Sequence, residues 1–259
     1  MTILSLGNQE VVVDKGELIS YKVDGHQYIH QKGSPGWRSS DTEMFPIIGP
    51  TNKADFTVET EKGKAVQDQH GLLREMTYER EQHSKTKVVF KKIYTANDTV
   101  KNSKFPQKST KAVLFWPYDF VFEKTFVLSE DGLRVAFQIS GEKEMPFMLG
   151  YHPAFNLTTG DVKIITDEKE IALPEVLAVG SRAMPVLSAS KISLADGEHG
   201  LMITTQGFSH FMLWTEVSNM VCIEPITFYP YAVDQKDLHR GFDYLSDKNG
   251  MFQVFLKPS

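Results

Sequence analysis

The fold class is decided by residues 120–140, which read FVFEKTFVLSEDGLRVAFQIS. Every second residue from Leu133 to Ile139 is apolar, and the residues between them are charged, polar or small. That period of two places one apolar face of a strand towards a core. The Asp131-Gly132 pair supplies the left-handed turn conformation that hairpins need. The stretch therefore predicts two half-buried antiparallel strands joined by a tight turn.

The same alternation recurs along the chain of 259 residues. Turn residues interrupt the apolar runs about every ten positions, which is typical of a sandwich or a barrel. No window contains three turns of helical periodicity and no linker-like segment divides the chain, so we predict a single all-β domain over residues 1–259. Further strands are predicted at residues 18–23, 28–29, 87–94, 112–115, 162–166, 201–205, 211–214 and 253–256.

The composition excludes several classes of protein. The chain carries 28 Lys and Arg against 33 Asp and Glu, a net charge of −5, and 41% of its residues are hydrophobic. Such a content favours a packed core over disorder, and the acidic balance argues against a nucleic-acid or anionic-membrane partner. There is no apolar run of membrane length and no basic leader, so we expect no membrane association and a cytoplasmic location. The lone thiol, Cys222, is expected to be a small buried hydrophobic residue.

Two histidines stand at positions that suit chemistry. His70 precedes Gly71, which frees the backbone for a close approach, and Arg74 follows near enough to orient an imidazole or an oxygen-rich ligand. His152 ends an apolar run, and Pro153 stops the strand there, so the imidazole is presented at a strand end. The plainer interpretations are a surface histidine beside a turn for His70 and a core histidine for His152.

Glu224 is the carboxylate of most interest, because it interrupts an apolar strand. Burial disfavours the charged form, so we expect its pKa to lie above about 4.3 and to approach that of a useful base. The alternative is a carboxylate on the polar face, although the run suits a strand buried on both faces. Asn52 and Lys53 follow a Gly-Pro break, where an amide and an ammonium are otherwise typical of a solvated turn.

These clusters, in this order on an all-β chain, resemble those of the aldose 1-epimerase (galactose mutarotase) family. The His70-Gly71 pair with Arg74 is similar to the family's HG motif in its HGxxR form. Residues 150–157 are similar to its GxHPxF pattern, and residues 222–225 to the segment with its catalytic glutamate. Asn52-Lys53 stands where family members have Asn-Arg. The resemblance implies a large antiparallel β-sandwich of the supersandwich type, acting on a small-molecule sugar.

The resemblance also implies an isomerase that interconverts the α and β anomers of a free aldose by acid/base ring opening, with no metal or cofactor. It assigns Glu224 as the base, His152 as the acid and His70 as the partner of the ring oxygen. An imidazole with a pKa near its ordinary value of about 6.5 can donate near neutral pH. The expected sugar-binding residues are Arg74, Asn52 and Lys53 for the hydroxyls, and Trp116, Phe155, Tyr118 or Trp214 as an aromatic wall.

Three points stay open at this level. The family's sugar-binding aspartate has candidates in Asp161, Asp167 and Asp196, and no motif chooses among them. The substrate is a sugar phosphate instead if Lys53 and Arg74 form a basic cluster at the site. A non-catalytic carbohydrate-binding protein on the same fold is the other alternative, while a glycoside hydrolase would need a second well-placed carboxylate.

Overall fold

The computed structural model describes residues 1–247 and 249–259, and its regular structure there is mostly β. The strands of these residues are, in chain order, β1 (Thr2–Leu6), β2 (Gln9–Asp14), β3 (Glu17–Val23), β4 (His26–Gln27), β5 (Glu43–Met44), β6 (Thr57–Thr60), β7 (Gly63–Val66), β8 (Glu79–His83), β9 (Lys87–Tyr94), β10 (Val100–Lys101), β11 (Val113–Leu114), β12 (Phe120–Ser129), β13 (Gly132–Gly141), β14 (Pro146–Phe147), β15 (Gly150–Tyr151), β16 (Ala154–Asn156), β17 (Val162–Ile165), β18 (Glu170–Ala172), β19 (Met184–Val186), β20 (Lys191–Asp196), β21 (His199–Gln206), β22 (His210–Trp214), β23 (Met220–Ile226), β24 (Asp243–Tyr244) and β25 (Asn249–Pro258).

The helices are short. The one α-helix found in the described residues is α1 (Leu173–Val179), and the 3₁₀ helices are Asn52–Ala54, Leu73–Glu75, Pro230–Ala232 and Gln235–Gly241. Within the described part of the chain, none of the helices has the length and hydropathy that a bilayer span requires.

A nine-stranded antiparallel sheet, the large sheet, forms one layer, in the order β18-β17-β20-β21-β25-β13-β12-β9-β8. The predicted hairpin is confirmed: β12 pairs with β13 from Phe120 opposite Gly141 to Ser129 opposite Gly132. The two turn residues are Glu130 and Asp131, and Gly132 is not part of the turn but pairs with Ser129 as the last pair of the ladder. A Cβ on Gly132 would lie 2.2 Å from the Leu256 carbonyl oxygen of β25, so glycine is required by a close strand approach.

A six-stranded sheet, the site sheet, covers the large sheet. Its order is β19-β22-β23-β15-β5, with β16 also paired to β23. The ring of Phe137 on β13 lies 5.1 Å from that of Tyr151 on β15, and Phe45, just after β5, lies 5.3 Å from Phe122 on β12. The apolar faces of the two sheets therefore meet in one core, which confirms the predicted antiparallel β-sandwich. That residues 1–259 form one domain stays a prediction.

A buried ion cluster crosses this core. Lys124 of β12 has no exposed surface, and its Nζ lies 2.7 Å from Asp41 Oδ2 and 2.5 Å from Glu43 Oε1. The hydroxyls of Tyr151 and Tyr78 donate to Asp41 at 2.7 Å and to Glu43 at 2.9 Å. Burial alone would lower the pKa of Lys124, but the two carboxylates outweigh it and raise that pKa. Lys124 is therefore charged, and it ties the large sheet to the start of β5.

The cluster positions the strand end that carries His152. Asp41 and Glu43 flank Thr42, whose backbone pairs with that of His152 through hydrogen bonds of 2.8 and 3.3 Å. β5 and β15 themselves pair over only two residues each, from Met44 opposite Gly150 to Glu43 opposite Tyr151. So short a ladder depends on contacts outside it for its register, and the ion cluster supplies them.

We expect Lys124→Met to destabilise the fold by about 3–5 kcal/mol, because two buried carboxylates would lose their cation. Chemical denaturation followed by circular dichroism measures the free energy of unfolding. The control is Lys163→Met, which removes an exposed pair with Glu170 whose side chains are 48% and 52% exposed, and costs less than about 1 kcal/mol. A loss for Lys124→Met no larger than the loss for the control would contradict the structural role of the cluster.

Candidate active site

His70 lies where two backbone segments cross. It precedes the 3₁₀ helix Leu73–Glu75, its φ is +75°, and its N–H donates to the carbonyl of Ile48 at 2.8 Å. A Cβ on Gly71 would lie 2.2 Å from the carbonyl oxygen of Phe45, so only glycine fits at that position. The His-Gly pair is thus explained by the close crossing of two backbone segments, and this crossing holds His70 against the site sheet.

His152 follows β15 directly and is clamped by aromatic rings. Trp37 stacks on its imidazole with ring centroids 4.2 Å apart and planes 28° apart, and Trp214 meets it edge-on at 6.2 Å. The His70 ring lies 5.4 Å away, nearly perpendicular to it. The backbone pairing with Thr42 and these contacts fix the position of the ring.

Glu224 sits in the middle of β23, whose seven residues are all buried. Its Oε1 lies 3.4 Å from His152 Nε2, and the two side chains are 2% and 7% exposed. The expectation of a buried carboxylate is confirmed, and the alternative of a solvent-facing one is wrong. Strand β23 therefore brings a carboxylate to an imidazole 72 positions away in sequence.

A cavity of about 440 Å³ joins these groups. His70, His152 and Glu224 all line it. Its walls also include three aromatic side chains and three polar ones, namely Trp37, Trp214, Tyr231, Gln69, Lys108 and Glu216. Aromatic walls with a few converging polar groups are typical of a site for a small molecule.

A family model, aldose 1-epimerase, matches residues 16–193, which is more than half of the chain. The matched region contains His70 and His152, while Glu224 lies beyond it. The chain belongs to the aldose 1-epimerase family.

Relatives and solved structures agree with this membership. The protein LacX, chromosomal, of Lactococcus lactis subsp. lactis is 26% identical over 155 residues, covering 54% of this chain and 45% of the relative. The chain thus spans about half the length of this curated relative. A galactose mutarotase-like protein from Lactobacillus casei ATCC 334 has a TM-score of 0.80 at 18% identity, with 100% of both chains covered. A galactose mutarotase related enzyme from Lactobacillus acidophilus has a TM-score of 0.76 at 20% identity, covering 98% of this chain and 96% of that one. At these identities the two structures establish the fold, a galactose mutarotase-like β-sandwich.

In this aldose 1-epimerase family member, Arg74 lies in a neighbouring cavity. That cavity, of about 270 Å³, is lined by Arg74, Thr42 and Lys92 among others, and Thr42 is the backbone partner of His152. The charge of Arg74 contributes to lowering the pKa of both His70 and His152. Arg74 is therefore within electrostatic range of the site without lining the same cavity.

The structure places four of the expected sugar-binding residues elsewhere. Trp116 and Phe155 have no exposed surface and lie in the core, where Trp116 packs on Phe242, so neither offers a face to a sugar. Asn52 and Lys53 are exposed on a 3₁₀ helix, where Asn52 Oδ1 accepts from the Gln235 amide at 3.2 Å and the Lys53 N–H donates to its oxygen at 2.6 Å. A short motif identifies the segment in which each of these residues lies. The direction of the side chain depends on contacts with distant residues, which the motif does not specify.

Two aromatic residues that line the cavity are not predicted from the sequence. Trp37 follows the Gly- and Pro-containing segment 33–36, where a single large aromatic ring is the available signal. Tyr231 follows Pro230 in a short run of aromatic residues just after β23. Trp214, one of the four candidates for an aromatic wall, does line the cavity.

Burial sets the protonation of the site. Burial, assisted by the charge of Arg74, lowers the pKa of His152 from 6.5 to about 3. Burial, with the neighbouring His152 and Arg74, holds the pKa of His70 well below its ordinary value, and burial raises that of Glu224 well above its own. The expectation of an ordinary imidazole pKa near 6.5 is therefore wrong for His152, because the ring is desolvated.

This depressed pKa predicts a loss of stability in acid. Below pH 6.5 the unfolded chain protonates His152, while the folded chain does so only near pH 3, so the free energy of unfolding falls as pH falls through this window. Between pH 7 and pH 5, the free energy of unfolding of the wild-type protein should fall by about 2 kcal/mol more than that of His152→Gln. Denaturant titrations at both pH values measure the difference.

The control for this prediction is His83→Gln, which changes an imidazole that is exposed in the folded chain. It should keep the pH dependence of the wild type. A difference between wild type and His152→Gln that does not change with pH would mean that His152 takes up its proton equally easily in both states.

Proposed function

We propose that this protein is an isomerase that interconverts the α and β anomers of a free aldose by general acid/base ring opening. The observation that carries the proposal is the 3.4 Å contact between Glu224 Oε1 and His152 Nε2 inside an aromatic-walled cavity. Membership of the aldose 1-epimerase family supports the reaction class.

Exchange between the two anomers requires two proton transfers. The hydroxyl on O1 gives its proton to a base, the ring oxygen O5 gains a proton from an acid, and the C1–O5 bond breaks to leave an aldehyde at C1. Rotation about C1–C2 exposes the other face, and reclosure reverses both transfers. A base and an acid on either side of C1 are sufficient, so the proposed reaction calls for no metal or nucleotide.

In the proposed mechanism Glu224 takes the O1 proton and His152 gives a proton to O5. Because the pKa of Glu224 is raised and that of His152 is lowered, a proton held by this pair in the free protein lies on the carboxyl of Glu224, with His152 neutral. That distribution is the one required at the open-chain stage, after both transfers have occurred. The 3.4 Å separation allows the proton to pass from Glu224 to His152 as a closed ring binds.

Other groups would orient the sugar. The Nδ1 atoms of His70 and His152 are buried, and neither has a hydrogen-bond partner among the described residues. Buried ring nitrogens are costly to leave unpaired, so sugar hydroxyls or the ring oxygen are suitable partners for them. Trp37, Trp214 and Tyr231 would stack on the apolar face of the ring, and the charge of Arg74 would stabilise negative charge on oxygen.

We expect Glu224→Gln to lower anomer exchange by at least about 100-fold while the fold stays intact, because the amide cannot take the O1 proton. His152→Ala should do similar damage. Polarimetry, or exchange spectroscopy by NMR, on freshly dissolved hexoses and pentoses measures the rate. The controls are His83→Ala and His199→Ala, which should keep the wild-type rate.

The results of that screen test the base assignment and distinguish the proposed function from its two alternatives. Unchanged rates in a folded Glu224→Gln protein would refute the base assignment. Sugar binding without exchange in the wild type would identify a carbohydrate-binding protein. Exchange confined to sugar phosphates, and lost on changing the cavity-lining Lys108 to Ala, would favour the sugar phosphate alternative.

The shifted pKa values also predict the pH dependence of the rate. Activity requires one proton on the Glu224–His152 pair, and a second proton binds only when His152 is protonated, near pH 3 in the free protein. The acid limb of kcat/KM should therefore lie well below pH 6.5. An acid limb centred at pH 6.5 would contradict the proposed state of the pair.

A further inference from the structure

Cys222 completes a cluster of three metal-ligating side chains around the proposed acid and base. It lies two residues before Glu224 on β23, so both side chains point to the same face of the strand. One ligand atom from each of His152, Cys222 and Glu224 lies within 4.8 Å of both others. All three side chains are buried, with Cys222 fully so.

The donor set and its spacing suit a zinc ion. Imidazole nitrogen, thiolate sulfur and carboxylate oxygen are the three ligand types that Zn²⁺ takes in proteins, at about 2.0–2.3 Å in tetrahedral geometry. A tetrahedral ion with bonds of that length separates its nitrogen and oxygen ligands by about 3.4 Å. His152 Nε2 and Glu224 Oε1 are 3.4 Å apart, so these two are already at the separation of a chelating pair.

We propose that Zn²⁺ binds to His152 Nε2, Cys222 Sγ and Glu224 Oε1, and that it does so in competition with the sugar. The ion enters through the cavity that His152 and Glu224 line, with Cys222 as the innermost ligand. Its fourth position faces the cavity and takes water. The metal occupies the two groups that the proposed function uses for proton transfer, so it is an inhibitor and not a cofactor; this half of the proposal rests on that function.

The surroundings of His152 favour reversible binding. A histidine ligand normally donates its second ring N–H to a carboxylate or carbonyl, and loss of such a partner weakens metal affinity by about 10- to 100-fold. Among the described residues, His152 Nδ1 has no hydrogen-bond partner. The site therefore has the ligands of a zinc site without the outer support of a resident one.

Zinc binding to the purified full chain tests the proposal directly. Competition with a chromophoric chelator should give one zinc per chain, and Cys222→Ala and Cys222→Ser should each bind it at least about tenfold more weakly. Two variants are compared because either substitution alters a buried strand, and circular dichroism checks that each is folded. The control is His199→Gln, whose imidazole stacks on His26 outside the cavity and which should bind zinc as the wild type does.

Cobalt identifies the ligand. The chain contains one cysteine, so a thiolate-to-cobalt charge-transfer band in the wild type can arise from Cys222 alone, and it should vanish in Cys222→Ala. Cobalt bound without this band, or equal zinc affinity in wild type and both variants, would overturn the site.

Activity tests the competition. Zinc should raise the apparent KM of the wild type for its sugar without lowering kcat, and Cys222→Ala, with unchanged exchange in the absence of metal, should need at least about tenfold more zinc. Zinc that binds while leaving the KM unchanged would overturn the inhibition. If the protein catalyses no exchange at all, the chelator and cobalt measurements still decide the metal site, so the two proposals fail separately.

Discussion

The buried attraction between Lys124 and the two carboxylates Asp41 and Glu43 is the interaction on which the site depends. It joins β12 of the large sheet to the two-residue strand β5, and β5 pairs with β15, which ends immediately before His152. Charges in a core are costly unless they are paired and hydrogen-bonded, so the cluster has few acceptable arrangements. That restriction holds a short strand in one register, and the register fixes where the imidazole points.

Desolvation is the second constraint, and it acts on the site itself. The same burial that raises the pKa of Glu224 lowers that of His152, so the carboxyl binds a proton more readily than the imidazole does. In the proposed mechanism this proton passes between the two side chains. The fully buried Cys222 lies beside the pair and completes a group of three buried side chains whose ligand atoms lie within 4.8 Å of one another.

The features that the sequence predicts correctly are those that depend on neighbouring residues. The hairpin of β12 and β13 follows from alternation and a turn signal, and the predicted strand 87–94 coincides with β9. The sequence neighbours of His70, His152 and Glu224 mark all three as candidates, and all three line one cavity. Side-chain direction is not predicted by the sequence: Trp116 and Phe155 lie in segments that match the family but face the core, while Trp37 and Tyr231 reach the cavity from irregular segments.

The sequence by itself determined the fold class, the family resemblance and three candidate site residues, because period-two patterning and short motifs are properties of adjacent residues. Only the tertiary structure decided which aromatic rings face the cavity, that Asn52 and Lys53 do not line it, and that His152 is desolvated. Each of those outcomes depends on contacts between residues far apart along the chain. Burial, which sets both ring exposure and pKa, exists only once the two sheets have packed together.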